Sequence, residues 1–358
     1  MEKIYNKMGV VAVDLFCGAG GLTRGLLDAG IQVMKGYDID KKSAETYEKN
    51  NKIPFYDKSV SDVSGKELRL GLNVKDNYFL LAGGAPCQPF SMINRKEING
   101  DDRRILLLQF GRLIKEAKPD FIFMENVPGL MKEKGKDIFK AFLKILDDDK
   151  YQYDFNVLDV RDYGVPQKRK RLVLLASKHG KIKIPAPKFG PKSENKIPYR
   201  TVRDAIEKYD KIMVGKTSQI PNHESRKLSK TNQIRLKFIK KNGGSRTDLP
   251  ENLVLECHKD YKGHGDVYGR MKWEEPAPTL TCKCTSISNG RFAHPSQDRG
   301  ISVREAAAIQ TFDEDYVFYG PIGQTTKMVG NAVPVRFAKE LGSAFLENYI
   351  QANNKGDY

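Results

Sequence analysis

Three short stretches combine residue types able to hold and transform an organic ligand. DLFCGAGG at 14–21 sets glycines behind an apolar run, GGAPCQPFS at 83–91 holds Cys87 between two prolines, and MENV at 124–127 carries Glu125. Prolines fix φ and remove backbone donors, so Cys87 sits in a stiff, non-helical segment. Its thiol could be a nucleophile, a redox group or a small apolar filler. Glycines between a strand and a helix let a ligand approach the backbone closely. The dinucleotide fingerprint GxGxxG is not met: Gly18 and Gly20 fit, Thr23 occupies the third position and Gly21 is extra, which disfavours a nicotinamide cofactor. Asp38, about twenty residues beyond the turn, can hold ribose hydroxyls. It could equally cap a helix. Taken with the glycine turn, it favours a nucleoside-containing cofactor.

Alternating strands and helices must position these residues. VVAVDLF (10–16), QVMKGYDID, NYFLLAGG (77–84) and DFIFMENV (120–127) read as strands, nearly continuous in apolar character. Between them LTRGLLDAG, KKSAETYEKN and ILLLQFGRLIKEA (105–117, ending before Pro119) have helical spacing, and GKDIFKAFLKILDDD is a further helix. This pattern predicts an open parallel sheet covered on both faces. YQYDFNVLDV and RLVLLASK, joined by a short polar loop, predict an antiparallel pair closing one sheet edge. Cys87 and Glu125 then lie at ends of neighbouring strands, on the edge that carries the glycine turn. A carboxylate emerging from an apolar strand end is costly unless hydrogen-bonded or used. From about Lys188 to Arg299 the alternation fades into prolines, glycines, lysines and polar residues, which predicts a separate, less regular module. SVREAAAIQ (302–310) is again a short helix, and VPVRFAKELGSAFLENYI (333–350) an amphipathic one after a Gly-Asn turn.

Composition narrows the class of protein. The 358 residues, 39% hydrophobic, allow one large core and a smaller second unit. No run approaches the roughly 18 apolar residues that span a membrane, and MEKIYNKMGV has no apolar signal core, so a cytoplasmic location is expected. Five scattered cysteines (Cys17, Cys87, Cys257, Cys282, Cys284) argue against a disulfide framework. Cys282 and Cys284 lack the usual zinc spacing, and although Cys257 and His258 lie nearby, no metal is expected. The charge of +16, from 61 Lys+Arg against 45 Asp+Glu, suits a polyanionic partner or a solvated lysine-rich surface.

DLFCGAGG, GGAPCQPFS, MENV, VPQKRKR and VGNAVPV occur in that order. Together they resemble the ordered motifs of the C5-cytosine DNA methyltransferases, over nearly the whole chain outside about 188–260. The resemblance implies an α/β fold: a Rossmann-like open sheet that binds S-adenosylmethionine, with a second, smaller, irregular target-recognition domain. The expected boundaries are 1–187 with 316–358 for the catalytic domain and 188–315 for the recognition domain. Phe16, Gly18, Gly20 and Gly21 would cradle the cofactor, Asp38 would take its ribose hydroxyls, Ile39 would pack on the base, and Asp62 would accept the adenine amine. Pro86, Leu106, Asn331 and Ala332 would complete the pocket.

The target cytosine would be flipped from the duplex. Cys87 would add to its C6, making C5 nucleophilic and splitting one hard step into two easier ones. Glu125 would act at N3, and Arg169 and Arg171 would orient Glu125 or the cytosine oxygen. Gln88, Ser91, Arg103 and Thr279, the last in a Thr-Leu element, would meet DNA. Pro89 and Arg104 depart from the commonest family pattern. The resemblance further implies double-stranded DNA as partner, a monomer, and a place in a restriction–modification system with a nuclease encoded nearby. Two alternatives remain: a tRNA-directed relative, disfavoured by the large module before RGISVREAA, and a silent DNA-binding paralogue, disfavoured by Cys87, Glu125 and the glycine turn.

Overall fold

The computed structural model describes residues 9–85, 103–259 and 265–354. Seven strands, β1 (Val10–Leu15), β2 (Gln32–Asp38), β3 (Phe55–Asp57), β4 (Tyr78–Gly83), β5 (Phe121–Asn126), β6 (Gln152–Asp159) and β7 (Lys170–Ser177), form one sheet in the order β3-β2-β1-β4-β5-β7-β6. Pairings from β3 through β5 are parallel, and β7 runs antiparallel to both β5 and β6. The expected antiparallel pair is present, but its later strand lies inside and its earlier one at the edge. Residue pattern explains the order. LVLLAS in β7 is buried throughout, whereas β6 alternates polar and apolar residues and leaves most of them part-exposed. A strand apolar on both faces belongs between neighbours.

The helices α1 (Gly21–Asp28), α2 (Ala44–Asn51), α3 (Gly65–Arg69), α4 (Arg103–Ala117) and α5 (Glu133–Asp148) fall in the first part of the chain. Further along come α6 (Val202–Ile206), α7 (Lys230–Phe238), α8 (Glu256–Lys259), α9 (Val303–Ile309), α10 (Ile322–Asn331) and α11 (Val335–Asn354). Gly330 and Asn331, read from the sequence as a turn, are the last residues of α10.

The described chain divides into two compact units. One comprises the described residues of Met1–Asp159, Lys170–Ala186 and Phe337–Tyr358, the other those of Val160–Arg169 and Pro187–Arg336. The junction at 186/187 lies one residue from the expected boundary. The C-terminal return comes at 336/337, where the sequence reading put it at 315/316, and the segment 160–169 joins the second unit. In the first unit the sheet core gathers Val11, Val13, Leu15, Phe79, Leu81, Ile122 and Met124 with Phe110, Leu113 and Phe142 of the helices. Helix α11 covers part of the sheet. Its Phe345 lies 5.5 Å from Phe121, ring to ring. A Cβ at Gly342 would come within 3.0 Å of the Ala29 Cβ, so helix α11 passes close to the end of α1.

Among its described residues, the second unit contains isolated bridges and short helices instead of a sheet. Irregular backbone leaves carbonyls without ladder donors, and buried carbonyls still need them. Three fully buried arginines supply many. Arg270 donates to the carbonyls of Leu236, Ile239, His294 and Gln297 at 2.6–3.1 Å. Arg304 donates to those of Pro221, Asp313 and Tyr316. Arg299 forks onto Glu305 with two bonds of 2.7 Å, and the same carboxylate accepts the Ser302 amide in a capping box that starts α9.

Candidate active site

Because β1, β2, β4 and β5 are parallel, their carboxyl ends lie along one edge of the sheet. Strand order reverses between β1 and β4, the point where open α/β sheets bind ligands. Beyond β1 the chain turns sharply. Phe16, Gly18 and Gly20 all have positive φ (60°, 50° and 89°), and Gly21 opens α1. Glycine enters that region freely, whereas Phe16 does so at a cost of about 1–2 kcal/mol. The turn is stapled to the end of β2: the Cys17 amide donates to the Tyr37 carbonyl (3.1 Å) and the Gly18 amide to Asp38 Oδ2 (2.9 Å). The Asp40 amide donates to the other Asp38 oxygen at 2.7 Å. Burial raises the Asp38 pKa, and these amide bonds oppose the rise.

Next to this carboxyl, Ile39 is 71% exposed, an uncovered apolar side chain beside a carboxyl group and a glycine turn. That combination fits a nucleoside, with a polar sugar and an apolar base face. Asp62 is exposed at the end of a 3-10 turn, and Leu106 is half-buried on α4. Cys17 has a different part. Its thiol is buried and its pKa is pushed up by desolvation, and a Cβ at Gly36 would come within 2.9 Å of its sulfur. It is a packed core residue.

Under the turn, Asp14 is wholly buried. Its Oδ2 accepts from Thr23 Oγ1 at 2.6 Å, while Oδ1 has no hydrogen-bond partner among the described residues. Burial raises its pKa from 3.8 to about 7, against the opposing Thr23 hydrogen bond. The folded form therefore holds this proton where the unfolded chain releases it. The group's contribution to stability is full below about pH 4, declines as pH rises, and is lost above about pH 7. We expect the thermal-stability advantage of wild type over Asp14→Asn to shrink between pH 5 and pH 8, by a few kcal/mol at most. An advantage that stays constant across those pH values contradicts this assignment.

Glu125 and Arg171 meet at the same edge. Glu125 pairs across the antiparallel ladder with Val173, so Arg171, two residues away on the same face, is its diagonal neighbour. Arg171 Nε lies 2.7 Å from Glu125 Oε1, and both side chains are largely buried. Asn126 is a participant that sequence reading passed over although it stands in the quoted motif. Its Nδ2 donates to the Ala85 carbonyl at 3.1 Å, and its Oδ1 accepts the Val127 amide. Asn126 thereby holds the chain at the exit of β4, two residues before Cys87. Pro86, Cys87, Gln88, Pro89 and Ser91 lie outside the described residues, as do the side chains of Arg103 and Arg104, which open α4.

The remaining sequence candidates belong to the second unit. Arg169 and Arg171 were expected to share one role, and they have different partners. Arg169 is buried and donates to the carbonyls of Leu280 (2.9 Å) and Gly330 (3.4 Å). Thr279 Oγ1 donates to the Lys168 carbonyl at 2.5 Å, which occupies its single hydroxyl proton. Asn331 ends α10 and is exposed; the carbonyl of the following Ala332 accepts from Gln310 Nε2.

The C-5 cytosine-specific DNA methylase family matches residues 10–347 of this chain. The chain is 42% identical over 347 residues to the Type II methylase M.HgiDII of Herpetosiphon aurantiacus, covering 94% of this chain and 95% of that protein. It is 34% identical over 361 residues to the Type II methyltransferase M.Eco47II of Escherichia coli, covering 99% and 82%. A solved structure of a putative DNA modification methyltransferase encoded within an E. coli prophage shares the fold, with a TM-score of 0.75 at 24% identity over 96% of this chain and 100% of that one. These relatives favour the DNA reading over the tRNA alternative. With the glycine turn, Asp38, Glu125 and Arg171 gathered on one sheet edge, the chain belongs to the C-5 cytosine-specific DNA methylases and is a DNA (cytosine-5-)-methyltransferase.

Proposed function

We propose that this enzyme modifies a cytosine flipped out of a specific duplex sequence, through a transient bond between Cys87 and C6, as the modification partner of a restriction nuclease. The observation that carries this reading is the Glu125–Arg171 pair at the edge where the Cys87 segment leaves β4. S-adenosylmethionine, when bound, supplies an electrophilic methyl group. Phe16, Gly18, Gly20, Gly21, Asp38 and Ile39 would hold it, with Asp62, Pro86 and Leu106 around its base. Exposure of Ile39 beside the Asp38 carboxyl supports that assignment.

The Cys87 thiolate forms a bond to C6, and the displaced electron density becomes available at C5. Glu125, held by Arg171, donates a proton at N3 and so neutralises the charge that develops in the ring. Once C5 carries the methyl group, its proton passes to solvent, Cys87 leaves as a thiolate, and N3 returns its proton to Glu125, which restores the neutral aromatic ring and the starting carboxyl group. The enzyme acts as a cytoplasmic monomer on duplex DNA, and the nuclease is a functional partner only.

Labelled S-adenosylmethionine offered with unmethylated plasmid DNA or with tRNA tests the reading. We expect label as 5-methylcytosine in the plasmid, at one recurring sequence. Label confined to tRNA overturns it.

A further inference from the structure

Leu280 is buried in a stretch that belongs to neither helix nor sheet, yet both of its backbone polar groups are bonded to side chains. Its amide donates to Gln167 Oε1 at 2.9 Å, and its carbonyl accepts from Arg169 Nη1 at 2.9 Å. Gln167 Nε2 continues to Gln310 Oε1 (2.8 Å), and Gln310 Nε2 reaches the carbonyls of Val329 (2.7 Å) and Ala332 (3.2 Å). Arg169 also donates to the Gly330 carbonyl. Gln167, Arg169 and Gln310 are all buried. The approach is tight: a Cβ on Gly330 would lie 2.1 Å from the Thr281 carbonyl oxygen. Backbone bonds join the same segments, with the Lys168 amide on the Ala277 carbonyl and the Ala277 amide on that of Pro166. The segment held in this way presents Cys282 and Lys283 to solvent.

We infer that Gln167, Arg169 and Gln310 are positioning residues, which fix the 279–283 segment on the end of α10 so that it can engage the DNA backbone; Arg169 acts on the segment and not on the flipped base. The inference rests on the reading of the enzyme as DNA-directed. A buried amide or carbonyl stripped of its partner carries a full desolvation penalty, so removing Gln167 or Arg169 lets the segment move. A displaced segment weakens DNA binding and leaves the chemistry intact.

The test is a kinetic split on a duplex containing the mapped target site. Arg169→Lys and Gln167→Met should raise KM for the duplex by about tenfold and change kcat by less than about threefold. Partial unfolding lowers kcat at constant KM, as does loss of a contact to the base, and either result overturns the inference. Lys283→Ala, on the surface and away from the core, supplies a second arm. It should weaken duplex binding by about fivefold and reduce the salt slope by about one, and the effect should shrink in the Arg169→Lys background. Unchanged binding by Lys283→Ala, or an undiminished effect in the double variant, also overturns it. A wild-type enzyme that labels no duplex at all defeats the DNA reading instead.

Discussion

Cys87→Ser is expected to abolish methyl transfer and, with it, the denaturation-stable adduct that wild type forms on a duplex carrying 5-fluorocytosine. A thiolate is a strong nucleophile at neutral pH, whereas a serine hydroxyl needs a base to activate it. Cytosine C5 has little reactivity towards a methyl group until a nucleophile sits on C6. Replacing sulfur by oxygen therefore removes the first bond of the sequence, and the fall in rate should be on the order of 10⁴-fold or more. Fluorine at C5 leaves no proton to lose, so the elimination that frees Cys87 is blocked and the enzyme stays attached. Gel migration after denaturation reads the adduct directly. Wild-type enzyme that methylates ordinary duplex while forming no adduct on the fluorinated one rules out the covalent route.

The second large effect belongs to the carboxyl and its guanidinium. Glu125→Gln preserves shape and can still hydrogen-bond, but an amide cannot deliver a proton at N3. We expect kcat to fall about 10²- to 10⁴-fold with little change in cofactor affinity. Arg171→Ala acts on the same group from behind. It leaves a largely buried carboxyl without its 2.7 Å partner, and breaking such a pair costs about 3–5 kcal/mol. Arg171→Lys restores charge without the planar fork and should recover only part of the activity. Single-turnover rates at saturating duplex and cofactor separate these effects from binding, and a Glu125→Gln enzyme with wild-type single-turnover rate removes Glu125 from the chemistry.

Much of the first unit could be read from residue pattern because its strands are buried and its helices amphipathic. DFIFMENV and NYFLLAGG announce themselves as apolar runs bounded by polar residues, and β5 and β4 follow them closely. Strand β3 escaped because Phe55–Asp57 is three residues long at the sheet edge, too short to show a period. The inward place of β7 escaped for another reason: adjacency in sequence suggests adjacency at the edge, and burial of LVLLAS overrides it. In the second unit, burial follows no repeat. Arg270, Arg299 and Arg304 are charged residues that the sequence assigns to a surface; Arg270 and Arg304 are buried where irregular backbone needs donors, and Arg299 where it forks onto Glu305. The site divides along the same line. Glu125 stood out as a carboxylate ending an apolar strand. The roles of Gln167 and Gln310, 143 residues apart, depend on a contact that neither local pattern encodes. Asn126 lies between the two cases, inside a recognised motif yet defined by a bond to Ala85, 41 residues away.

The first unit is discontinuous, and its last piece follows the whole of the second. Helix α11 carries the ring that packs on Phe121 and the Gly342 surface that lies along Ala29 and Leu26. Between about 220 and 310 residues separate those partners in the chain, which at a ribosome's pace is roughly 10–60 s of synthesis. During that interval the sheet has its strands and its glycine turn, while apolar surface around Phe121 waits for a cover not yet made. Contacts of such long range also form slowly. A nascent chain stopped short of Phe337 already contains Cys87, Glu125 and Arg171, and still lacks the helix that packs on Phe121.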